Sequence, residues 1–152
     1  MATLSTQSIG ALPIRGFDAI LGAFPELPIV FAHANYPRVG DAFALVARHR
    51  NLYLDTVHVF ARVTQGWDRA NQASAWAALE EGLRAFPDRA MFGTDHPSGT
   101  GTLRQMYEEF HAFGLAPDLE RRLLGETAGA LVERVRSRPA RDAGPAGPAG
   151  VE

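Results

Sequence analysis

Apolar residues fall along this chain in two rhythms, a helical spacing and a short unbroken run, and their alternation predicts an α/β protein. Phe17, Ile20, Leu21 and Phe24 lie at helical spacing, so a helix is expected over 16–24, ended by Pro25 and Pro28. The run from Ile29 to His33 is continuously apolar, as strands of a parallel sheet are, and predicts a buried strand over 29–33. Phe43, Val46 and Ala47 mark one face of a helix over 41–49, with Asp41 placed to cap it after Gly40. Leu52 to Asp55 reads as a second strand. Trp76, Leu79 and Leu83 form the stripe of a long helix over 71–86, closed by Pro87. A third strand is expected over 90–94, ending in the polar cluster Asp95, His96, Pro97, and helices follow over 103–113, 117–124 and 126–136.

Strands alternating with helices call for a parallel sheet. The gaps between strand ends, about 22 and 40 residues, bracket the roughly 31 per unit of an eight-fold strand–helix barrel. A closed barrel needs about 250 residues, whereas the chain has 152. A barrel reading therefore makes it part of one. Residues 16–137 are expected to form that part, preceded by a polar lead over 1–15. The tail over 138–152, with its doubled Gly-Pro-Ala, is expected to be disordered.

Hydrophobic residues make up 46% and charged residues 21%, the balance of a globular protein, and the net charge of -2 gives no electrostatic case for nucleic acid. No apolar run reaches the roughly 20 residues of a membrane span, and the polar start lacks a basic region followed by an apolar one. A cytoplasmic protein without membrane partners is the expectation. Cysteine is absent and all fifteen basic residues are arginine. Thiolate ligands, cysteine nucleophiles, Schiff bases and a phosphate-loop lysine are thereby excluded within this chain.

Reactive groups of parallel α/β architectures cluster at the carboxyl ends of the strands. Three polar groups fall there: His33 with Asn35, Asp55 to His58, and Asp95 with His96. His33 alone reads as a hydrogen-bonded core histidine or a catalytic one. Asp95 is a loop cap or a site group, Asp55 a structural hydrogen-bonding group or a catalytic one, and His58 a pocket residue or a loop residue. His49 and His111 read as solvated side chains on helical faces, Trp67 and Trp76 as packing a helix on the sheet, and the Arg121-Arg122 pair as an exposed helix face. Ser98 lacks the G-x-S-x-G elbow, and the glycines after it lack a phosphate-binding pattern.

Four segments in order carry a family resemblance: Phe24-Pro-Glu-Leu-Pro-Ile-Val-Phe-Ala-His33, Asn51-Leu-Tyr-Leu-Asp-Thr56, Met91-Phe-Gly-Thr-Asp-His-Pro97 and Leu123-Leu-Gly-Glu-Thr-Ala128. Together they resemble the amidohydrolase-related family of metal-dependent hydrolases and decarboxylases, over roughly 16–136. The resemblance implies a partial (β/α)8 TIM barrel: three parallel strands, the sixth to eighth, with flanking and terminal helices. It implies that His33 polarises the substrate or assists a metal. Asp95 would bind a divalent metal, zinc in the first instance, or its water, and exchange protons with it. His58 and His96 are the candidate substrate-binding residues.

The family's first-strand His-x-His pair and fifth-strand histidine have no counterpart here, so Asp95 is expected to lack the three protein ligands that a zinc site needs. Val57 and Thr127 stand where the motifs usually carry serine and asparagine. The expected activity is metal-assisted hydrolysis of a small ester, lactone or amide, or decarboxylation of a small aromatic acid. Two rivals remain. One is a non-catalytic remnant or assembly module, pairing with a complementing chain or a second copy through its sheet edges. The other is a small domain that binds a metabolite without turning it over.

Overall fold

The computed structural model describes residues 14–57, 59–60, 69–96 and 102–138. Of the predicted lead over 1–15, residues 1–13 lie outside the described residues, as does the tail beyond 138, whereas Ile14 and Arg15 already belong to the first helix. Helix α1 (Ile14–Ala23) leads into strand β1 (Ile29–Phe31), then α2 (Val39–Arg48), β2 (Leu52–Asp55), α3 (Arg69–Ala85) and β3 (Ala90–Met91). Helices α4 (Leu103–His111), α5 (Pro117–Arg121) and α6 (Thr127–Arg136) follow, the last two joined by a π-helical turn (Arg122–Glu126). The strands form one parallel sheet in the order β1-β2-β3, with Phe31 level with Leu54 and Asp55 level with Met91. This is the architecture of a partial TIM barrel.

Side chains alternate across this sheet. Phe31, Leu52, Leu54 and Ala90 point to one face, where they meet Leu21, Phe43, Leu45, Leu79 and Leu83 in the buried core. Phe17 packs on Phe31, with ring centroids 4.5 Å apart. A side chain at Gly82 would overlap the Phe43 ring, so α2 and α3 close on each other at that residue. Phe60, Phe92, Phe110 and Phe113 extend the core beyond the third strand. Trp76 joins them edge-on to Phe113 and donates its indole N–H to the Val59 carbonyl, so it does pack α3 against the core; Trp67 lies outside the described residues.

The strands are shorter than the apolar runs that announced them. β1 stops at Phe31, because His33, Ala34 and Asn35 take positive φ values of 59°, 44° and 56°, which no strand can hold. β3 stops at Met91, because β2 has ended opposite it. Beyond that point Phe92 gives its backbone N–H to the Leu123 carbonyl at 2.8 Å. That carbonyl lies in the π-helical turn, where the Thr127 N–H bonds the Arg122 carbonyl five residues back rather than Leu123. Helices expected over 117–124 and 126–136 are thus one continuous helical stretch, and Gly125 does not break it.

Two polar side chains fix α1 and were not legible as doing so. Asn51 is 2% exposed, and its amide nitrogen donates to the carbonyls of Phe24 at 2.8 Å and Leu27 at 3.0 Å, with Leu21 at 3.4 Å. It therefore supplies the donors that the end of α1 lacks. His49 is not a solvated side chain. It is largely buried and bonds the Asp18 carboxylate at 2.7 Å, and that bond, with Arg48 nearby, holds the Asp18 carboxyl below its usual range. His111 is exposed and pairs with Glu120.

Replacing Asn51 by alanine leaves these carbonyls short of donors, and a loss of about 1–3 kcal/mol is expected in denaturant unfolding. Asn51→Asp is expected to cost more, since a carboxylate has no proton to give and faces oxygen atoms.

Candidate active site

Parallel pairing to both sides of β2 sets the carboxyl ends of three strands side by side. β1 runs out into the turn that holds His33, β2 ends on Asp55, and β3 leads through Phe92, Gly93 and Thr94 to Asp95. His33, Asp55 and Asp95, separated by tens of residues in sequence, are thus brought to one rim.

Asp55 is the middle member. Its Oδ1 accepts the Val57 N–H at 2.9 Å, so the carboxylate is folded back over the end of its own strand. The space it occupies is the space a side chain at position 93 would need. A Cβ on Gly93 would overlap Asp55 Oδ1 and stand 2.6 Å from Val57 Cγ2. Burial pushes the Asp55 carboxyl above its ordinary value of 3.8; the Val57 hydrogen bond and the His33 charge pull it down, and the charge of Asp95 pushes it up again. Asp55 thus senses both of the other two groups.

The flanking members sit on unusual backbone. His33 occupies a left-handed turn with Ala34 and Asn35, a conformation that costs about 1–2 kcal/mol per non-glycine residue. Tyr36 closes this turn by giving its N–H to the His33 carbonyl at 2.8 Å. Nδ1 of His33 is shielded from solvent. Asp95 is also left-handed, at φ 52°, and exposed. Such conformations persist where surrounding structure over-determines them, and they concentrate at functional sites. His96 follows on the exposed side of the same turn, its N–H directed to Thr94 Oγ1 at 3.4 Å. His58 lies outside the described residues, as does Ser98.

Among the described residues no three His, Asp or Glu side chains stand together closely enough to hold a metal ion. The donors among the described residues therefore do not fit, unaided, the divalent ion that the family resemblance implies. What the rim does offer is two carboxylates of different environment and one imidazole, a set able to move a proton and to polarise a carbonyl.

Gly93 was not singled out from the sequence, although a glycine inside an apolar strand run is a signal of close approach. Gly93→Ala is expected to displace the Asp55 carboxylate at a cost of about 1–3 kcal/mol in unfolding free energy. Asp55→Asn separates a structural role from a functional one. The folded carboxyl titrates above the unfolded one, so its contribution to stability is fully present below the unfolded value and lost as pH rises through the folded one. Relative to Asp55→Asn, the native protein is therefore expected to lose stability between acid and neutral pH, as read by unfolding at each pH. A constant difference would contradict the burial cost.

The comparisons bear on the fold and the family. A family model described as amidohydrolase matches residues 13–134. An uncharacterised TIM-barrel protein from Bordetella bronchiseptica superposes with a TM-score of 0.62 at 25% identity, over 80% of this chain and 40% of that one. An amidohydrolase from Burkholderia multivorans with bound HEPES gives 0.59 at 18% identity, over 77% and 48%. An Agrobacterium tumefaciens protein solved in the apo form gives 0.55 at 17%, over 80% and 48%. No curated protein matches the chain. The chain thus spans under half the length of the solved structures it matches. With most of its length matched by the family model and its three parallel strands in the order of a barrel segment, the chain belongs to the amidohydrolase family.

Proposed function

We propose that this chain is the carboxyl-terminal part of an amidohydrolase-type barrel that hydrolyses a small carbonyl compound, an ester, lactone or amide. The observation that carries the reading is the convergence of His33, Asp55 and Asp95 on one rim, within a family match over residues 13–134. In this reading Asp95 accepts a proton from water as the water oxygen attacks the carbonyl carbon. An imidazole N–H of His33 donates to the oxygen on which negative charge develops. Asp55, seated between them, is a positioning residue that sets the field both experience. His58 and His96 would contact the substrate from the two loops. Decarboxylation of a small aromatic acid is the alternative on the same groups. A divalent ion, zinc in the first instance, would need ligands from outside this chain.

The sheet edges favour a second element of the reading. The outer edge of β3 is met by the Leu123 carbonyl, whereas no described strand pairs with β1 on the side away from β2, and Val30 there is 46% exposed. A complementing half-barrel, in the same polypeptide or another, would add its last strand at β1 and bring the missing metal ligands.

Two measurements test this. After dialysis the chain alone is expected to retain zinc well below one equivalent; tight one-to-one zinc held through its own residues would overturn the incomplete site. Mixed with an amino-terminal half-barrel bearing a His-x-His pair, it is expected to hydrolyse members of a panel of small lactones, esters and amides. There Asp95→Asn should lower the rate at least about a hundredfold with its unfolding midpoint in place. Undiminished turnover in that variant would remove Asp95 from the mechanism.

A further inference from the structure

We infer that the amino-terminal end of the sheet carries a second site, which takes a small oxyanion of the phosphate type. A cavity of about 270 Å³ opens there, bounded by Tyr53, Arg122, Thr127, Leu131 and Arg134. Its polar wall carries more donors than acceptors. Tyr53 Oη accepts an N–H from Arg134 at 3.3 Å, which leaves the phenol proton free to be given elsewhere.

The charge on the wall points the same way. Asp88 and Glu126 also border the cavity, but Asp88 is paired with Arg89 at 3.5 Å and Glu126 with Arg121 at 3.4 Å. Arg122 and Arg134 have no carboxylate partner among the described residues, and Arg89, whose charge is matched by Asp88, lies over the Tyr53 ring, 5.2 Å from the centroid. Two guanidinium forks with the Tyr53 hydroxyl match a ligand made of acceptors, and the planar fork suits an oxyanion in particular. Arg122, which the sequence places on a solvated helix face with Arg121, is half-buried and turned to this cavity.

The site lies away from the rim that holds the candidate catalytic groups. Tyr53 precedes Asp55 by two residues, about 7 Å along the strand, and Asp88 and Thr127 lie at the entrance to β3 and on the helical stretch beneath it. None of His33, Asp55 or Asp95 borders the cavity.

The test is a titration of the full chain with inorganic phosphate at constant ionic strength, followed by amide NMR. Saturable shifts are expected at Arg122, Thr127 and Arg134, with chloride at the same ionic strength giving none. The double variant Arg122→Ala, Arg134→Ala is expected to weaken binding at least about tenfold, as the loss of charge-assisted bonds requires. Tyr53→Phe should weaken it by a smaller factor with an unchanged unfolding midpoint, which guards against a folding defect. Shifts that do not saturate, that centre on other arginines, or that survive the double variant would overturn the site.

Discussion

Asp55 can lie folded over the end of β2 only because position 93 carries no side chain. That absence lets the carboxylate remain inside the rim, and the rest of the site is arranged around it. β2 is the only strand of the three that pairs on both sides, so its register fixes where β1 and β3 run out. The carboxyl group at its end then becomes the point where the fields of His33 and Asp95 meet. A half-buried carboxylate with one backbone donor is costly to hold, and the left-handed backbone at His33 to Asn35 and at Asp95 adds to that cost. Strained backbone and a partly desolvated carboxylate are thus gathered at one end of the sheet, a combination that a core built for stability alone does not require.

The fold was largely legible in the chain because its elements follow burial, and burial leaves a period. The continuous apolar runs before His33 and Asp95 and the stripe of Trp76, Leu79 and Leu83 each became the element they announced. The ends of the strands were not legible, because they are decided by pairing. Whether residue 33 continues β1 depends on a backbone turn that no hydrophobic pattern encodes, and β3 ends where β2 does. The π-helical turn at Arg122–Glu126 was invisible for a similar reason: it exists to offer the Leu123 carbonyl to Phe92, a residue some thirty positions away.

The candidate site was legible in part. His33 and Asp95 stand out as polar residues just past apolar runs, and topology alone brings such positions together. Asp55 was the harder case, since its weight comes from what surrounds it: the empty place at Gly93, the Val57 N–H, and the two charged neighbours. The two ends of the sheet also carry different chemistry, with acids and an imidazole at the carboxyl rim and arginines and hydroxyls at the amino end. Both are consequences of alternation along β2, where Tyr53 and Asp55 share a face while Leu52 and Leu54 fill the core.

The central claim is that one rim holds His33, Asp55 and Asp95 within electrostatic reach. Its most direct test is the titration of the Asp55 carboxyl carbon by NMR in the native chain, in Asp95→Asn and in His33→Ala. The midpoint should lie above the ordinary carboxylate value in the native chain, fall when the Asp95 charge is removed, and rise when the imidazole is removed. A midpoint indifferent to both substitutions would mean that the three groups do not share a site.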